Sequence, residues 1–265
     1  MAKLHINLLA KQLTEQELRT ALEKPPKSLR EYYSEVISRI SKQEEKQEHL
    51  AMITLKWIAY AKEPLQAGAL QHALAVTSDT RDVNEKDLID IEQLISFCAG
   101  IVTIDSESGI IRFVHYTVQE YLENALPSAD SDTEIAKICL KYLALDVFST
   151  SCKNQISLNE RLEKYKLSKY AASHWADHVR GRQEERLQDI VVATFESDGR
   201  RDSMLQLQGQ GFLRGDFYSS YNCSLLHLAS SNGLPNLFSN LLSKYKQENF
   251  LGSVWNRERL SPFGV

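Results

Sequence analysis

A chain of 265 residues, 43% hydrophobic and 25% charged, can bury ordinary globular cores, and its length implies about two domains. A net charge of −4 lacks the positive field that draws a phosphate backbone, which argues against nucleic acid as a partner. The four cysteines form no Cys-x-x-Cys pair, no apolar run is long enough to span a bilayer, and the first ten residues lack a secretory leader's core, so a reduced, cytoplasmic protein is expected.

Residues 1–45 read as helical, with Pro25-Pro26 as a break. Ser28-Leu29-Arg30-Glu31 has the pattern of a capping box. After it, Leu29, Tyr32, Tyr33, Val36, Ile37 and Ile40 recur at helical spacing. In residues 46–127, Leu50, Ile53, Trp57 and Tyr60 mark one helix face and Met52, Leu55 and Ile58 another, which predicts a buried helix. Leu70, Ala73 and Leu74 give a short second helix, and Asn84 to Cys98 a third. Gly100 ends that pattern. The β-branched runs 101–104 and 110–114 then flank Asp105-Ser106-Glu107-Ser108-Gly109, a hairpin signal. Thr117-Val118-Gln119-Glu120 resembles a further capping box. Three helices, a two-stranded wing and a following helix make a winged helix-turn-helix.

Residues 128–215 read as a helical linker. Ser131-Asp132-Thr133-Glu134 is expected to cap a helix bearing Ile135, Ile138, Cys139, Tyr142 and Leu143. A second helix presents Leu167, Tyr170, Ala171, His174, Trp175 and His178 and stops at Gly181; a third runs from Glu184 through Phe195. In residues 216–265, Ser224-Leu225-Leu226-His227-Leu228-Ala229, then Gly233, Leu237-Phe238 and Leu241-Leu242, follow the ankyrin repeat pattern. Leu260-Ser261-Pro262-Phe263 begins the pattern again, close to the ankyrin period of about 33 residues. Phe217, Tyr218 and Tyr221 are expected to cap the first repeat, with contact to a partner as the alternative. The fold class is therefore mainly α: a winged helix-turn-helix with a two-stranded β-wing, a helical linker and the start of an ankyrin array. So short an array should fray, and deletion of residues 216–265 is expected to leave the thermal midpoint almost unchanged.

Several segments together carry a family resemblance: Leu22-Glu23-Lys24-Pro25-Pro26, Trp57-Ile58-Ala59-Tyr60, Gln71-His72-Ala73-Leu74-Ala75-Val76 and Cys98-Ala99-Gly100. Phe113-Val114-His115-Tyr116-Thr117-Val118-Gln119-Glu120-Tyr121, Tyr170-Ala171-Ala172-Ser173-His174-Trp175 and Leu226-His227-Leu228-Ala229 continue it. In this order they resemble the fungal NACHT–ankyrin proteins, NOD-like members of the signal-transducing NTPase class, whose winged helix is also labelled after GPI inositol-deacylase. The resemblance implies an upstream NACHT domain that binds ATP or ADP, a winged helix that latches onto it and an ankyrin array that senses a ligand. It assigns 1–45 to the helical end of the NACHT domain, 46–127 to the winged helix, 128–215 to the linker and 216–265 to incomplete ankyrin repeats. Protein partners are then expected through the ankyrin region and the winged-helix surface, with no nucleic acid, membrane or cofactor.

The resemblance also carries a role for His115. In related NTPases a histidine in a Met-His-Asp motif at the same strand-to-helix junction touches the ADP phosphate, and Val114-His115-Tyr116 stands there in this chain. The competing view is a packing histidine beside Ile111 and Phe113. No Gly-x-x-x-x-Gly-Lys-[Ser/Thr] loop occurs, and no glycine is followed by lysine, so there is no amide cradle or lysine for a triphosphate. A truncated, non-catalytic regulatory member follows. A hydrolase is disfavoured because no Gly-x-Ser-x-Gly elbow is present. A DNA-binding winged helix is disfavoured because the segment 84–99 carries Glu85, Asp87, Asp90 and Glu92 against Lys86 alone. His174 and His178 have metal-ligand spacing but no evident third ligand, and are expected to flank the Trp175 core contact. Ser224, His227, Ala229 and Gly233 are expected to serve structure, with His227 bonding within and between the first turns of repeats.

Overall fold

The first described helix, α1 (Leu29–Ile40), starts where the Ser28 hydroxyl accepts from the Glu31 amide at 3.1 Å. This computed structural model describes residues 28–77, 79–209 and 223–258, with side chains through residue 247. The expectations for 1–27, for Phe217, Tyr218 and Tyr221, and for 260–263 therefore lie outside the described residues. Helix α1 buries Tyr32, Tyr33, Val36 and Ile40, the stripe that the spacing predicts. Helix α2 (Glu45–Tyr60) buries Ala51, Thr54, Leu55, Trp57 and Ala59, and α3 (Ala67–Ala75) buries Ala69, Leu70, His72 and Ala73.

The expected third helix breaks in two. Asn84 and Asp87 cap one another around a single 3₁₀ turn at Glu85–Asp87, and Leu88 is extended. Asp90 then accepts from the Gln93 amide at 2.9 Å and starts α4 (Ile91–Phe97) afresh. Short polar side chains that bond nearby amides compete with a continuing helix, and three of them stand in this stretch. Ala99 (φ +48°) and Gly100 (φ +85°) turn the chain into the wing. There β1 (Val102–Ile104) and β2 (Ile111–Phe113) pair antiparallel with Thr103 opposite Arg112. The Asp105 carboxylate gathers the Glu107 and Ser108 amides, and Gly109 closes the turn at φ +68°. Beyond β2, the Leu65 carbonyl accepts from Ile111 N at 2.9 Å, which ties the wing to the segment before α3.

Two expected caps lie elsewhere. Helix α5 (Tyr116–Ala125) is capped by His115, and Thr117 sits inside its first turn. Helix α6 (Ser128–Leu143) begins before Ser131, with Pro127 at the N-cap. Ser131 and Thr133 donate back to the carbonyls of Pro127 and Ala129, at 3.2 and 2.8 Å, as hydroxyls inside a helix do. After α7 (Gln155–Lys164) come α8 (Ser168–Val179), α9 (Glu184–Phe195) and α10 (Asp198–Leu207), with α8 packed along α6. Gly181 (φ +87°) makes the corner between α8 and α9. The described chain is thus mainly helical with one small two-stranded antiparallel sheet.

Gly199 allows the closest approach in the linker. A Cβ placed there would lie 2.3 Å from the Ser149 carbonyl oxygen. Alanine normally favours a helix by about 1 kcal/mol over glycine. Here Gly199→Ala should instead cost about 2–3 kcal/mol, because backbone must move to relieve the clash. Urea unfolding checks the sign; an unchanged or raised midpoint would mean that α10 shifts freely.

The last two described helices form a hairpin, α11 (Leu225–Ser231) and α12 (Pro235–Glu258). Leu228, Ala229, Leu234 and Leu237 are buried, and α12 packs against α9. One continuous apolar core runs from Tyr32 to Leu237. This burial weighs against the expected fraying: each buried leucine stabilises by about 1.5–3 kcal/mol, and removing the hairpin would uncover α9.

Candidate functional site at the strand-to-helix junction

Where β2 gives way to α5, the backbone at His115 is extended (φ −154°, ψ 146°), and its ring turns back over the helix start. Nδ1 lies 3.3 Å from the Thr117 amide and 2.8 Å from Thr117 Oγ1, while Tyr33 Oη lies 2.6 Å from that same oxygen. An amide can only donate, so Nδ1 accepts and the ring proton belongs on Nε2. The chain of bonds then runs Tyr33 to Thr117 to His115. Tyr33 is buried, which pushes its phenol pKa up despite the Thr117 hydroxyl, and because the Thr117 hydroxyl proton goes to Nδ1 the phenol donates to Oγ1. The His115 ring stacks on Tyr116, with centroids 4.5 Å apart.

This junction therefore presents Nε2–H on an exposed imidazole held by α1, β2 and α5. The ring caps a helix, rather than bonding a carbonyl beside Ile111 and Phe113. Chemically it offers one oriented donor for an anionic or carbonyl oxygen. Among the described residues the ring's hydrogen-bond partner is Thr117.

A second polar constellation lies inside the linker. His178 is fully buried; its Nδ1 is 2.6 Å from Asp132 Oδ1 and its Nε2 is 2.8 Å from Tyr170 Oη. Asp132 Oδ1 also accepts from Lys62 Nζ at 2.9 Å, and Tyr170 Oη accepts from the Lys62 amide at 3.1 Å. Burial lowers the His178 pKa and outweighs the Asp132 bond that favours its charged form. Burial works against the Asp132 charge too, but the bonds from His178 and Lys62 prevail and hold its carboxyl below the ordinary range. The outline is that of an acid–base relay, yet Tyr170 is only 3% exposed, so no substrate reaches it. The relay ties the end of α2 to α6 and α8.

His174 does not share a centre with His178. It pairs with Asp177 at 2.8 Å and approaches Glu63 at 3.6 Å. Among the described residues no three His, Cys, Asp or Glu side chains converge into a metal-sized cluster. Burial pushes the Cys98 thiol up to about 12, and burial raises Cys139 and Cys152 as well, so these thiols stay protonated. In the hairpin, Ser224 Oγ accepts from the His227 amide while His227 Nδ1 accepts from Ser224 N, both at 3.3 Å. Ala229 is buried, and Gly233 (φ +63°) leaves room beside the Arg180 guanidinium, whose Nε donates to the Asn232 carbonyl at 2.8 Å. Sequence placed Asp132 in an expected cap, Tyr170 on a helix face and Glu184 at a helix start, but gave neither these nor Lys62 a part in a side-chain network.

A helical unit with a two-stranded antiparallel wing has the architecture of a winged helix. Residues 37–136 match the family described as "GPI inositol-deacylase, winged helix domain". Over 200 residues the chain is 28% identical to "Azaphilone pigments biosynthesis cluster protein L" of Monascus ruber, an alignment covering 65% of this chain. The chain aligns with about 40% of the length of that relative. No solved structure matches. Among the described residues no helix is long and apolar enough to cross a membrane.

Proposed function

We propose that the chain is a non-catalytic regulatory and protein-interaction module of the NACHT–ankyrin type. In this role it acts after a nucleotide-binding domain and before a ligand sensor. The observation that carries the reading is the joining of two outward elements by one core. The β2–α5 junction that bears the exposed His115 and the α11–α12 hairpin both pack on one continuous apolar core. A push on the junction is thus transmitted through packed helices, which are bistable rather than soft. The Lys62–Asp132–His178–Tyr170 bonds stiffen the joint between winged helix and linker. The acidic 84–92 segment favours protein over DNA as the partner. The hairpin, with its Ser224–His227 cap, serves as the first ankyrin unit.

The test fuses a NACHT domain from a fungal NACHT–ankyrin protein ahead of this chain and follows release of fluorescent ADP. A hydrogen bond to a charged group is worth about 1.5–3 kcal/mol, so His115→Ala should speed release about tenfold or more. His115→Asn, which can still cap α5, keeps the fold and separates nucleotide contact from helix capping. Unchanged ADP retention in both variants would remove His115 from the role. ATP hydrolysis that follows this chain by itself through purification would overturn the non-catalytic reading.

A further inference from the structure

The break before α4 leaves a groove of about 530 Å³ between the start of α2, the end of α3 and the 87–97 segment. Its floor is apolar: Leu50, Leu74, Leu88, Ile89 and Phe97 line it, and each is only half-buried. Its walls are fixed by two long side chains. Gln71 Nε2 donates to the Ile89 carbonyl at 2.7 Å and Gln43 Nε2 to the Phe97 carbonyl at 2.8 Å. A preformed apolar trough between helices suits an amphipathic helix laid into it.

Charge decides which helix. Glu44 and Asp87 stand in the lining itself, with Lys46 as its one cation. The first turn of α2 adds Glu45 and Glu48 against Lys46, and the segment around α4 adds Glu85, Asp90 and Glu92 against Lys86. Among the described residues no lysine or arginine forms an ion pair with any of these carboxylates, while ion pairs elsewhere in the chain are made. Asp87 and Asp90 spend their side chains on caps, and Glu44, Glu45, Glu85 and Glu92 are exposed. An apolar floor with a net acidic rim is complementary to leucine-type side chains flanked by lysine or arginine.

We infer that this groove is a docking site for a basic amphipathic helix of a partner protein. It shares no residue with the His115 junction and stands whether or not that junction senses nucleotide. The probe is a fluorescein-labelled leucine–lysine amphipathic peptide, titrated onto the full chain, beside a peptide with glutamate in place of lysine. The lysine peptide should bind saturably and one-to-one, and the glutamate peptide should not. Glu44→Lys with Glu92→Lys should weaken binding about tenfold, with a smaller difference at high salt. Glu185→Lys with Asp189→Lys, the same charge change on α9, should leave it intact. Leu88→Ser should also weaken binding, with the thermal midpoint read in parallel; because the two charge reversals lie on exposed side chains, they keep the test valid if Leu88→Ser unfolds. Equal loss in the α9 variant, equal binding of the glutamate peptide, or absence of saturation would each overturn the site. So would a concentration-dependent dimer abolished by Glu44→Lys with Glu92→Lys, since a second copy would then be the occupant.

Discussion

Replacing Asp132 by alanine is expected to destabilise the fold by about 3 kcal/mol, because removing one partner of a buried pair leaves the other without compensation. For a chain of this size that lowers Tm by roughly 6–12 °C. Two groups lose a partner together: the fully buried His178, which also holds the Tyr170 hydroxyl, and Lys62. Asp132→Asn keeps an oxygen acceptor and should recover part of the loss. The relay also fixes the sign of the pH response. The folded pKa of His178 lies below the ordinary imidazole value of 6.5, chiefly through burial. Between those two values the unfolded chain binds more protons than the folded one, so stability is fully present above pH 6.5 and falls as the pH drops below it. His72, buried against Tyr142 Oη at 2.8 Å, is lowered by burial and acts in the same direction. Asp132, whose folded pKa also lies below its ordinary 3.8, adds a further loss at lower pH. Urea midpoints at pH 7.5 and about 5.5 check this. His178→Gln should flatten the slope between them, leaving the His72 part; a slope identical to the native chain would remove His178 from the relay.

What could be read locally in the sequence was read from period and composition. The faces of α1, α6 and α8 follow from apolar spacing, and the wing follows from β-branched runs around Asp105 to Gly109. What failed were contests between neighbours for the same amide. Asn84, Asp87 and Asp90 each bond a nearby amide, so a helix that periodicity carries from 84 to 98 becomes a 3₁₀ turn and a short helix. Thr117 has the sequence of a cap, yet its hydroxyl is held between His115 and Tyr33, and the imidazole caps instead. The relay was invisible for a different reason. His174 and His178 share a helix, and their spacing is plain. The carboxylate that His178 meets lies on α6, within a run that imitates a cap. Local pattern carries no information on which distant carboxylate an imidazole meets. The groove beside α4 follows from the same misread helix, since a continuous helix would bury those apolar side chains differently.

The stability of the C-terminal hairpin should depend on one carboxylate supplied by another helix. Glu184 opens α9 and is 1% exposed, and its Oε1 accepts from the Leu237 amide in the first turn of α12 at 2.8 Å. The first amides of a helix have no partner within it, and here the cap comes from across the interface. The carboxylate also stands at the start of two helices, where the peptide dipoles favour negative charge. Neighbouring bonds from Asn240 Nδ2 to Gln188 Oε1 and from Arg180 Nε to the Asn232 carbonyl hold the same face. Glu184→Ala leaves the buried Leu237 amide unpaired, at a cost of about 1–3 kcal/mol. Glu184→Gln retains the acceptor and should recover most of it, while losing the dipole contribution of about 0.3–1 kcal/mol or somewhat more. Hydrogen exchange gives the readout that separates a docking role from a general one. In the alanine variant the amides of α11 and the first turns of α12 should exchange faster by about tenfold or more, and those of α2 and the wing should not change. Equal acceleration throughout would mean that the hairpin and the winged helix unfold as one unit. No acceleration at all would mean that the hairpin is held by Leu228, Leu234 and Leu237 alone.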